Sequence, residues 1–77
     1  MPDAHPPMRE SHRAALAVAP SLVGLALPDA WVRASEHGLL CRVVKVDGVP
    51  MPHRQSLRPG RLNMTVAAGV VTDIRVE

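Results

Sequence analysis

The sequence predicts an α+β domain in which one α-helix packs on a small mixed three-stranded sheet, a parallel pair plus a C-terminal hairpin, with a long exposed loop. Three observations carry that expectation. A helical stretch between Pro28 and Gly38 has start and stop signals at its ends. Three β-branched runs follow it, Leu39–Val46, Leu62–Val66 and Val70–Val76. Between the first two lies the Pro-rich stretch Asp47–Arg61, which has neither period.

The helix is read from its first turn. Proline is tolerated at Pro28 because its missing N–H would be unpaired there anyway, and Asp29 suits the positive end of the helix dipole. Ala30, Trp31 and Ala34 are expected to form the buried stripe, with Arg33 and Glu36 outward and Gly38 closing the helix in a left-handed cap. Asp47-Gly48 reads as a turn, and Ala67-Ala68-Gly69 as a short hairpin connection with Gly69 free to take positive φ. Ahead of the helix, residues 1–19 are expected to form a flexible or partly helical leader, with any helix from Met8 stopped at Pro20. The domain proper is expected over residues 20–77, opening on the apolar anchor Leu22-Val23-Gly24.

Composition narrows the function. A 77-residue chain has room for one modest core and no enzyme cleft, so no catalytic residue is expected. Hydrophobic residues make up 47%, yet Trp31 is the only aromatic, which makes the core aliphatic and thin. Cys41 is alone, so no internal disulfide staples the fold; in a strand it is expected to be buried and inert. His5, His12, His37 and His53 lack ligand spacing and are read as surface residues; no metal and no cofactor are expected. A net charge of +2 without stacking aromatics or a basic helix does not point to nucleic acid, and no membrane partner is expected either. The chain is expected to be a monomer. A lone thiol suits a reducing, cytoplasmic location. The alternative, a secreted or periplasmic protein, rests on the apolar run Ala14–Leu27 with its small-residue pattern Ala17-Val18-Ala19.

The stretch Asp47–Arg61 is the most informative. Long structureless connections in compact domains tend to be functional, and this length also permits parallel pairing of the flanking strands. It carries Arg54, Arg58 and Arg61, and there is no Asp or Glu from Gly48 to Thr72. A plain solvated basic loop is the alternative to a binding loop.

Leu57-Arg58-Pro59-Gly60-Arg61-Leu62-Asn63, followed by a Val-rich hairpin, resembles the signature of bacterial peptidase inhibitors related to potato inhibitor I. Leu22-Val23-Gly24, the short helix and Val43-Val44 fall in that family's order, so the resemblance spans Pro20 to Glu77. It implies a reversible, substrate-like inhibitor of subtilisin-type or chymotrypsin-type serine proteases, acting through an exposed loop. The same resemblance places Gln55 in the specificity pocket and Ser56 after the scissile bond, with His53, Arg54 and Leu57 completing the protease-binding loop. It also gives Arg58, Arg61 and Asn63 a loop-supporting role beneath it. Arginine suits that role because its planar fork satisfies several acceptors.

The sequence departs from the family at four places. Arg54 stands for the usual Thr, Ser56 for the acid after the bond, Leu57 for Tyr, and Gly60 for the Asp before Arg61. Losing the acid deprives Arg61 of a charged acceptor, a bond of roughly 1.5 to 3 kcal/mol. Gly60 adds backbone freedom. Both changes imply a softer loop. For Gln55 and Ser56 the plain alternative is a polar loop tip, and for Arg58 and Arg61 a scaffold role. A non-inhibitory binding module of the same fold, using its basic loop on another protein, is the competing function. A weaker one is an accessory protein docking through Ala14–Leu27.

Overall fold

The computed structural model describes residues 6–52 and 59–77. Among these residues are two helices and four strands: α1 (Pro6–Leu22), α2 (Leu27–Glu36), β1 (Cys41–Val46), β2 (Val49–Pro50), β3 (Leu62–Ala67) and β4 (Val70–Val76). The sheet order is β2-β1-β3-β4, with β1 and β3 parallel and the other two pairings antiparallel. The α+β class, the parallel pair and the C-terminal hairpin match the expectation; one helix on three strands does not.

The first difference is α1. Ser11, Ala15, Val18, Ala19 and Leu22 recur at the spacing of one helix face, and Ala15, Ala19 and Leu22 are buried in the core. Pro20 does not stop the helix, which runs on to Leu22. Pro20 and Leu16 both lie on the exposed side, where water can take up the Leu16 carbonyl that the proline cannot bond. The second difference is β2. Asp47 (φ 49°) and Gly48 (φ 82°) both take the left-handed conformation, as a tight I′ hairpin turn requires. That turn folds Val49–Pro50 back onto Lys45 and Val46. Proline is acceptable there because β2 is a sheet edge.

α2 ends as expected. Leu39 N–H donates to Ala34 O at 3.0 Å and Gly38 N–H to Ser35 O at 2.9 Å, the double bond of a Schellman cap, with Gly38 at φ 70°. Leu39 is buried as the apolar partner of this cap and does not start the strand, which begins at Cys41.

The core is made of Ala15, Ala19, Ala30 and Ala34 on the helices and Leu22, Leu39, Leu62, Met64, Val66 and Val71 around them. Alanines on the inward faces let both helices lie close to the sheet. Trp31, about 100° round the helix from Ala30, lies off that inward face and is 42% exposed. Its expected burial is therefore corrected. Cys41 is half-buried, and desolvation raises its thiol pKa. Its alkylation by iodoacetamide is accordingly expected to be slower at pH 8 than that of a free cysteine, and to rise toward the unfolded-protein rate in urea. Equal rates in buffer and urea would show that burial does not protect it.

Residues 24–27 run along the start of β4: Gly24 N–H donates to Val71 O (2.7 Å), Val71 N–H to Leu25 O (2.9 Å) and Leu27 N–H to Gly69 O (2.9 Å). Among the described residues no helix is long and apolar enough to cross a membrane.

Candidate functional site

The expected protease-binding residues His53, Arg54, Gln55, Ser56 and Leu57, and the supporting residue Arg58, lie outside the described residues. What is described is the platform at both ends of that segment. On the incoming side, Met51 N–H donates to Val44 O at 2.9 Å, fixing the chain to β1 just past β2. On the returning side, Pro59–Gly60 form a turn that enters β3.

Arg61 and Asn63 share one face of β3, opposite to the core face of Leu62 and Met64. Across the parallel pair, Arg42 is the register partner of Asn63, and its Nε donates to Asn63 Oδ1 at 3.1 Å. Two arginines converge on Glu77. Arg42 Nη2 lies 2.7 Å from Glu77 Oε2, Arg61 Nε 2.9 Å from the same oxygen, and Arg61 Nη2 3.2 Å from Oε1. The side chains are well enclosed, at 9% exposure for Glu77, 12% for Arg61 and 19% for Arg42. Forked guanidinium–carboxylate bonding in such a setting is both strong and directional. The expectation that Arg61 lacks a charged acceptor is thus corrected, since Glu77 provides one.

A β-bulge makes this possible. From the hairpin turn, Ala67 pairs with Val70 and Val66 with Val71, but Thr65 pairs with Asp73, so the register shifts by one residue at Thr72. A shift of one residue moves every later side chain of β4 to the other face. Glu77 then sits opposite Arg61, with its N–H donating to Arg61 O at 3.0 Å. Without the bulge, Val76 would occupy that place. Glu77 and His12 escaped sequence reasoning because only the bulge and the docking of α1 bring them together at this end of the sheet, and Arg42 because it arrives through the parallel pairing of β1 with β3.

Gly60 is also reassigned. It is buried at φ 85°, its N–H donates to Glu77 O at 3.0 Å, and the α1 backbone at Ser11 lies directly against it. Its smallness serves close packing, so it does not act as a point of softness. Between Ser11, the Gly38–Leu40 exit of α2 and the Pro59–Arg61 return runs a groove of about 240 Å³. Set against known proteins, the chain matches no family model, no curated protein and no solved structure.

Proposed function

We propose that this protein is a reversible, substrate-like inhibitor of serine proteases of the subtilisin or chymotrypsin type, acting through the segment that carries Arg54, Gln55, Ser56 and Leu57. The observation that supports this reading is the anchoring of both ends of that segment. Met51 is tied to β1, and Gly60 and Arg61 are tied to Glu77. Fixing both ends of a segment lowers the entropy it must give up on docking compared with one whose ends are free, so more of its contact energy appears as affinity. Its backbone would pair with the enzyme's edge while Gln55 fills the specificity pocket. The inhibitor itself needs neither a catalytic group nor a cofactor.

The test is a titration of subtilisin and chymotrypsin with the purified protein, followed by mass mapping of any cut. Stoichiometric loss of activity with cleavage confined to Gln55-Ser56 is the expected result. Rapid digestion at several sites, or full protease activity beside intact protein, would reject the reading. A second reading, a non-inhibitory module that binds another protein through its basic loop, is favoured by one feature. The arginine cluster has a carboxylate of its own in Glu77, so it does not rely on an acid from the loop.

A further inference from the structure

Ser11 and His12 are consecutive residues of α1 that reach two adjacent points at one end of the sheet. A Cβ on Gly60 would fall 2.8 Å from Ser11 Cβ and 2.9 Å from Ser11 O, so the helix backbone is already in contact with the return turn. His12 Nδ1 lies 2.8 Å from the main-chain oxygen of Glu77. That oxygen accepts, so Nδ1 carries the hydrogen. That same oxygen accepts the Gly60 N–H. One turn of α1, the return turn and the end of β4 therefore close on one another, and the Arg61 guanidinium joins them through the Glu77 carboxylate.

We propose that Ser11 and His12 are positioning residues for the return of the chain into β3. The helix holds Gly60 and Glu77, and Glu77 holds Arg61 and Arg42. Together these contacts set the direction in which Pro59 leaves the sheet. This rests on the inhibitor reading, in which that direction decides whether a cut bond keeps its ends in place to rejoin. The resemblance to the inhibitor family begins at Pro20, so the brace is supplied by a part of the chain that the resemblance does not cover.

The test compares His12→Ala, His12→Asn and His12→Gln in the full chain by amide hydrogen exchange and thermal unfolding. Asparagine places an N–H close to where Nδ1 donates, whereas glutamine carries it further out. With alanine or glutamine, exchange at Gly60 and Glu77 is expected to quicken roughly fivefold, the loss of about one ordinary hydrogen bond. Asparagine is expected to restore it, and Met64 in the core to stay unchanged. Equal exchange in all three variants, or an equal rise at Met64, would overturn the proposal. If wild-type protein inhibits a protease, His12→Ala should bind it at the same rate and be cut faster between Gln55 and Ser56; a cut at the wild-type rate overturns the positioning role while inhibition stands. If wild-type protein inhibits nothing, the inhibitor reading and the role resting on it fall together, and the exchange result still decides whether His12 holds Gly60 and Glu77.

Discussion

Replacing Gly60 with alanine is expected to cost about 2–5 kcal/mol of stability, measured by equilibrium urea unfolding. Two effects add. At φ 85° an L-residue with a Cβ pays roughly 1–2 kcal/mol. The new methyl would also meet the Ser11 backbone, its O at 2.9 Å and its C at 3.0 Å, and backbone cannot rotate aside as a side chain can. Either the return turn or α1 must shift, and overpacking of this kind typically costs about 1–3 kcal/mol. Gly69→Ala separates the two effects, because Gly69 has a similar φ of 78° with nothing within 4 Å of its would-be Cβ. A loss at Gly60 no larger than that at Gly69 would mean that the helix does not press on the turn.

Glu77→Ala should be nearly as damaging, with an expected loss of about 2–3 kcal/mol. Truncating one partner of a buried ion pair typically costs 3–5 kcal/mol, and the figure is reduced here because both guanidiniums keep some access to water. Two arginines lean on this one carboxylate, so its removal brings like charges together without their shared counter-charge. Glu77→Gln keeps the shape and one acceptor, and should lose about half as much. Unfolding curves for the two variants at low and at 1 M salt provide the check. A loss below about 0.5 kcal/mol for Glu77→Ala would show that water replaces the carboxylate without penalty. Because the inhibitor reading relies on Arg61, the same variant should be digested faster by any protease that the wild-type protein inhibits.

The elements that were legible are those with local signals. Pro28-Asp29 and Gly38 mark the ends of α2 closely, and the Asp47-Gly48 turn and Gly69 take the positive φ values that their residues suggest, whereas Ala68 at φ 52° does so against the preference of a residue with a Cβ. α1 was harder to read because its buried face is largely alanine, which any hydropathy pattern registers weakly, and because Pro20 looked like a stop. Its i, i+4, i+8 series of Ser11, Ala15 and Ala19 was nonetheless present. Trp31 misled in the opposite sense: its apolar size argued for burial, while the buried face of α2 runs through Ala30 and Ala34 and leaves it half out in solvent. The candidate site divides in the same way. Arg61 and Asn63 were marked by the resemblance and do share one face of β3. Their partner Arg42 follows from the parallel register of β1 on β3, while Glu77 depends on a β4 register that shifts at Thr72, and neither composition nor spacing encodes a bulge strongly enough to foresee it.

The two margins of the sheet have a consequence for behaviour in concentrated solution. An open strand edge is a template on which other chains can add, the first step toward fibrils and precipitates. On one side, β2 covers the Lys45–Val46 end of β1 and is itself only two residues long, ending in Pro50, which offers no N–H. At the other, residues 24–27 already occupy the first part of β4, and the exposed charges of Asp73 and Arg75 stand along the remainder. At these two places a chain with so many valines and no disulfide is guarded against self-assembly through its strands.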